Sequence, residues 1–400
     1  RIHVAGSRPP WADFAMSKIA TYGDRGRSLR KLIDYFCHLA VAPHAFVDIR
    51  ENDTEFADTP YLKAISWLKD EAEDLYDPEY SDIIRVAGLV GFNRGKASSI
   101  VSELSGRDPE TRKVDEDRIP VAYDKLERAL LQIVSNYHFD NFLMLIKSAG
   151  FIVPGMVNSK NALNFAYALY LRLREDKDMS EGERKRIVKR WFVMSMLTGR
   201  HSGSFESTWE QDIRRIGEQG PANYLKQVEE SELSDTFWAV TLPAALETTS
   251  TVSPFFQTFL AAQVANNSRG FLAKSITVAA MTQQSGDIHH IVPKDYLQKN
   301  GYPDRGDYNQ VANFALTETS INISISNKPP VHYMAQLAAQ IESNKLTLGE
   351  IIDPSDLATN LAENAIPDNL AEITAGSYKE FLIQRRKLMA AIIRDYYQAL

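Results

Sequence analysis

The sequence has little cysteine, no long apolar run and no excess of positive charge, and each shortage closes off a class of protein. Its single cysteine, Cys37, lies in an apolar helical run at 32–41, so an intrachain disulfide and a cysteine-built zinc cage are both excluded. Any metal must then be held by His, Asn, Asp or Glu. No stretch reaches the roughly 20 uninterrupted apolar residues of a membrane-spanning helix, and residues 1–30 lack the apolar core of a signal peptide. The expectation is a cytoplasmic protein with no membrane partner. A formal net charge of −7 argues against a chain whose whole surface is built for phosphate backbones. That argument is mild, because charge can be segregated and carboxylates beside a bound divalent ion do not repel DNA. Strand-like alternation is scarce, and no repeat of fixed period occurs.

What the chain does have is length and helical period. Its 400 residues, 44% hydrophobic and 24% charged, suffice for two or three domains of the usual size. Apolar residues recur at three and four positions, as in Leu29, Leu32, Ile33, Phe36 and Cys37. This period predicts helices over roughly 27–41, 60–76, 81–105, 121–149, 161–175, 181–198, 206–216 and 253–266, with Thr59-Pro60 and Ser81-Asp82 as start signals. The texture changes near 270. Residues 276–328 are rich in Asn, Thr, Ser, Ile and Val and are broken by Gly286, Gly301, Pro303 and Gly306, which predicts a short β-hairpin with a long loop. Helical period resumes over 333–346 and 378–400.

The string that carries chemistry is Gly286-Asp287-Ile288-His289-His290-Ile291-Val292-Pro293, followed by Asn313, Asn322 and Asn327-Lys328. Adjacent strand residues face opposite sides, so two consecutive histidines are not both expected in a core. Nine positions separate Asn313 from Asn322, room for a strand over 314–317 and the first turn of a helix. The arrangement suits hydrolysis of a phosphodiester with one divalent ion. His289 and Asn322 would hold the ion, and neutral His290 would take a proton from the attacking water. Asn313 would bridge the loop and hold the base histidine in orientation. Two neutral ligands leave positions open for water and phosphate oxygens, which suits Mg2+ or Mn2+.

This string resembles the HNH endonucleases, in which a His before Ile-x-Pro is the general base, the preceding residue a metal ligand, an Asn opening the second strand structural, and the residue nine positions later the second ligand. All four places are filled, by His290, His289, Asn313 and Asn322. The departures are a 23-residue step from His290 to Asn313, with 294–308 as the inserted loop, and the absence of the zinc-binding cysteine pairs of some members. A wider resemblance covers nearly the whole chain. Residues 1–19 are similar to the end of the ParB/sulfiredoxin-like N-terminal domain of GmrSD-type proteins, with His3 and Pro9 where that pattern has Asn and Leu. Residues 191–216 and 327–334 are similar to the helical middle and the nuclease end of the same proteins. The resemblance implies modification-dependent (type IV) restriction in phage defence, with DNA as partner and nucleotide dependence only through an upstream domain. The chain opens on Arg1, and 1–6 read like the middle of a domain, so a fragment of a longer protein is expected, with a homodimer as a further candidate assembly.

The expected fold class is therefore mainly α, a large helical domain with an embedded ββα-metal (HNH/His-Me finger) module. The expected divisions are 1–22 as the tail of a truncated domain, 23–270 helical, 271–335 the module, and 336–400 helices packing on it. The rival function is a non-catalytic DNA- or partner-binding module with a degenerate HNH site. Several residues have two readings. Asp287 is either a carboxylate behind the metal ligands or a turn residue after Gly286. Asn327 and Lys328 either contact phosphate or end a helix. Arg200 belongs either to an anion-binding loop or to a helix connection. The basic run Arg184, Lys185, Arg186, Lys189 and Arg190 reads as a solvated helix face with DNA contact as the alternative, as do Arg385, Arg386 and Lys387. The pairs Phe255-Phe256 and Tyr396-Tyr397 read as core.

Overall fold

A computed structural model describes residues 10–71, 75–108, 111–284 and 287–400. Residues 1–9 and Gly286, with the resemblance and turn assigned to them, lie outside the described residues. The described residues are mainly helical, and no helix among them is long and apolar enough to cross a membrane. The chain divides into two compact units, Arg1–Leu145 with Ser159–Val228, and Ile146–Asn158 with Glu229–Leu400. The division falls at 228/229 and not near 270, so the segment after 228 shares a core with the histidine string and the C-terminal helices.

In the first unit, α1 (Trp11–Ala20) packs on α2 (Gly23–Val41), α3 is Tyr80–Ala87 and α4 is Ala97–Leu104. Further along come α5 (Arg118–Ile133), α6 (Lys160–Leu173), α7 (Glu181–Thr198) and α8 (Phe205–Gln219). The centre is the α6–α7 pair. α7 begins where Ser180 Oγ accepts from the Glu183 amide at 3.2 Å, and it ends where Gly199 takes a left-handed φ of 64°. Its second half, Trp191 to Leu197, is apolar nearly all round, which fits a helix buried on every side.

Three predicted helices are broken. The 60–76 run stops as an α-helix at Ile65. The 81–105 run starts earlier, at Tyr80, because Glu79 and Asp82 form a capping box in place of the Ser81-Asp82 cap. It then loosens into a π-helical stretch, Gly88–Phe92, closed by Asn93 in left-handed conformation at φ 57°. The 121–149 run divides into Arg118–Ile133 and Asn136–Ser148.

The second unit holds α9 (Pro254–Ala265), the antiparallel strands β1 (Asp287–His290) and β2 (Phe314–Thr317), and α10 (Thr319–Ile325). It continues with α11 (Pro330–Ser343), α12 (Pro354–Glu363) and α13 (Tyr378–Ala399). The register pairs Asp287 with Thr317, Ile288 with Leu316, His289 with Ala315 and His290 with Phe314. The long connection between the strands is not an open loop. It contains the helical turns Lys294–Lys299, Arg305–Tyr308 and Val311–Asn313.

The C-terminal helices pack on this region. α12 clamps the segment before β1, since Asn360 Oδ1 accepts from the Leu272 amide at 2.8 Å and its Nδ2 donates to Gly270 O and Ala273 O. α13 packs along α9, and Tyr378 donates to the Asp307 carbonyl at 3.0 Å. Arg385 on α13 is not on a solvated face. It is fully buried, donating to Asn364 O at 3.2 Å and Val311 O at 3.5 Å, and Arg386 pairs with Glu247. On α7, Arg184 is likewise occupied, donating to the Leu173, Arg174 and Asp176 carbonyls at the end of α6.

Candidate functional site

β1 is short and turns its side chains alternately. Ile288 is 45% exposed, whereas His289 is 4% exposed and stacks on Phe271, ring centroids 5.9 Å apart. His290, at the end of the strand, is half-buried, with the Phe314 ring edge-on at 5.0 Å. The two histidines therefore have different surroundings, as the pleat requires. Asp287 pairs with Thr317 in the ladder; its side chain lies outside the described residues.

After β2 the chain enters α10 at once, and that turn brings Asn322 back under β1. Asn322 Oδ1 lies 2.7 Å from His289 Nδ1. The other ring nitrogen of His289, Nε2, is buried without a hydrogen-bond partner. Burial pushes the His289 pKa down to about 4, with the Asn322 contact opposing the shift and His290 adding to it, so the ring is neutral at pH 7; with Asn322 Oδ1 accepting, the proton sits on Nδ1 and the lone pair on the buried Nε2. The 2.7 Å spacing is that of an N–H···O hydrogen bond; for both atoms to ligate a divalent ion the proton would have to move to Nε2, leaving the Nδ1 lone pair and Asn322 Oδ1 as two neutral donors. Among the described residues there is no group of three or more His, Cys, Asp or Glu that could hold a metal. Any ion here would rest on neutral protein donors and on oxygens from water or substrate.

Asn313 is completely buried and staples the turn that follows β1. Its Oδ1 accepts from the Val292 amide at 2.9 Å, and its Nδ2 donates to Val292 O at 3.0 Å and Tyr308 O at 3.1 Å. The Ile291 amide donates to the Asn313 carbonyl at 2.9 Å, so side chain and main chain act together. The His290 ring, however, is held by a different residue. Its Nε2 lies 2.8 Å from Asn309 Oδ1, and Asn313 makes no hydrogen bond to it. Burial lowers the His290 pKa, Asn309 opposes the shift, and the Lys294 charge adds to it.

Asn309 and Lys294 are the site residues that the sequence reading missed. Lys294 follows the Ile-x-Pro string directly and reaches over the Tyr308 ring at 5.5 Å. Its position could have been read from that string. Asn309 could not, because only the folded connection brings it to His290.

Lys328 serves a helix end. Its Nζ donates to Ser324 O at 2.8 Å and Gln336 Oε1 at 2.9 Å, closing α10, while Asn327 is exposed in the turn beyond. Arg200 lies in the first unit and is no open anion loop. Its guanidinium makes a two-point contact with buried Asp212, at 3.0 and 2.6 Å, which Tyr224 and His201 also contact. Comparison of the chain with protein-family models, with curated proteins and with solved structures finds no match.

Proposed function

We propose that β1, β2 and α10 form a ββα-metal module of the HNH type, and that the protein is a metal-dependent DNA endonuclease. The observation that carries the reading is the approach of Asn322 Oδ1 to His289 Nδ1 at 2.7 Å beside the half-buried His290, with Asn313 stapling the intervening turn. A divalent ion, Mg2+ or Mn2+, would supply polarisation of the phosphodiester and charge stabilisation at the leaving oxygen. His289 and Asn322 would hold it.

His290 is the residue for proton abstraction from water. Its ring is neutral at pH 7, it reaches solvent, and Asn309 fixes its orientation by accepting from Nε2–H, which leaves the Nδ1 lone pair for the proton. Lys294 places a positive charge beside the ring, where a substrate phosphate would sit. Asn313 touches no substrate; it keeps β1 and the Val292 turn in register with β2. On the resemblance to GmrSD-type proteins, the substrate would be modified DNA and the role restriction of phage.

The test is plasmid nicking with magnesium or manganese, on unmodified and on hydroxymethylated or glucosylated DNA. Wild type should nick at least one of these substrates, and His290→Ala should nick about 100-fold or more slowly while binding DNA equally well. Metal-independent binding without cleavage, unaffected by His290→Ala, would instead mark a binding module.

A further inference from the structure

The first unit has a cationic hollow that the chemistry of the second does not use. It has a volume of about 280 Å³ and lies where the π-helical stretch Gly88–Phe92 meets α5 and α6. Its lining includes Val90, Gly91, Ala129 and three cations, Lys125, Arg128 and Arg172. Lys125 and Arg128 stand three residues apart on α5, so they share a face, and both are exposed. The acidic residues of the same helix, Asp124 and Glu127, are taken up by Arg25.

Arg172 enters from α6 and is fixed in place, donating to the Leu89 carbonyl at 3.1 Å and to Asn93 Oδ1. The wide turn makes this geometry. A Cβ at Gly91 would lie 3.2 Å from Ala129 Cβ and from the Lys125 carbonyl, so the stretch sits close against α5 and leaves the cations around its edge. The one carboxylate of the hollow, Glu175, accepts from Gln132 at 2.7 Å and its charge acts on Arg172, but none of the three cations forms an ion pair at contact distance among the described residues. Arg172 also lines a second hollow of about 350 Å³, whose Arg94 and Arg214 are paired with Glu210 and Glu218.

We propose that the hollow formed by Lys125, Arg128 and Arg172 binds the phosphodiester backbone of DNA. Three cations against one carboxylate leave the hollow net positive in a chain of net charge −7, and phosphate is the matching partner. The hollow has no aromatic face for a base to stack on, so its lining suits backbone positioning and not base reading or capture of a single nucleotide. The proposal concerns the first unit and holds whether or not the second cleaves.

The experiment measures binding of the full chain to a labelled 20-base-pair duplex in EDTA, over a range of salt concentrations, for wild type and for Lys125→Glu with Arg128→Glu. Both positions are exposed, and unchanged thermal unfolding would show that the variant is folded. The expected result is about tenfold or greater loss of affinity in the variant and a salt dependence shallower by about two counterions. Unchanged affinity and slope would overturn the proposal. So would saturable binding of ATP or pyrophosphate that the variant loses, with no duplex binding at low salt, since the site would then serve a free phosphate ligand. Because EDTA removes cleavage from the readout, failure here and failure of the nuclease reading are separate results.

Discussion

At the residue scale, burial sets the protonation of His289. With its pKa lowered to about 4 from an ordinary 6.5, the folded state binds fewer protons than the unfolded state between those two values. Stability therefore falls as pH drops from about 6.5 to about 4 and levels off below, where both states are protonated. The full effect is on the order of 3 kcal/mol. Denaturant unfolding without metal should show wild type losing more stability than His289→Gln across that window; equal losses would contradict a buried, neutral His289. Asn313 was legible as a structural residue from its place before a strand. Its partners Val292 and Tyr308 were not, because its hydrogen bonds run to backbone groups that any residue could supply.

At the scale of elements, period predicted where helices lie better than where they stop. The 81–105 run is apolar enough to continue, yet the chain widens at Gly88–Phe92 and turns at Asn93, since α5 and α6 pack against the stretch from two sides. Of the basic face expected at 385–387, Lys387 is exposed but Arg385 is not, for a related reason. α13 lies against the turn before β2, so Arg385 points inward and serves the Val311 and Asn364 carbonyls, while burial without a carboxylate pushes its pKa down to about 9. It remains charged at neutral pH. A lysine has three donors on one compact head and lacks the planar fork that spans those two carbonyls. Arg385→Lys should cost about 2 kcal/mol, read by thermal unfolding. A neutral result would mean that the buried fork adds nothing.

At the scale of the molecule, each unit has its own core, so two unfolding transitions are expected in calorimetry. If the proposed ion binds at His289 and Asn322, manganese should raise only the transition of the second unit. At about 100 times its Kd the stabilisation is about 2.7 kcal/mol, and His289→Gln should abolish it. A shift of both transitions, or one that survives the substitution, would place the metal elsewhere. The −7 net charge is likewise a property of the whole that hides its parts, because the cationic hollow at Lys125, Arg128 and Arg172 sits within an acidic chain.

The sequence by itself determined the helical class, a short hairpin within 276–328 with a strand at 314–317, and the candidate set His289, His290, Asn313 and Asn322, because periodicity and short-range spacing are local properties that survive without a fold. Tertiary structure decided which of these residues meet. It set Asn322 against His289 across a gap of 33 positions, put Asn309 and not Asn313 on the His290 ring, buried Arg385, and gathered three cations from two helices around one wide turn. Each of those outcomes depends on how one element packs against another. Such packing is settled by the total apolar surface buried and the backbone groups left to satisfy, and no single stretch of sequence carries that information.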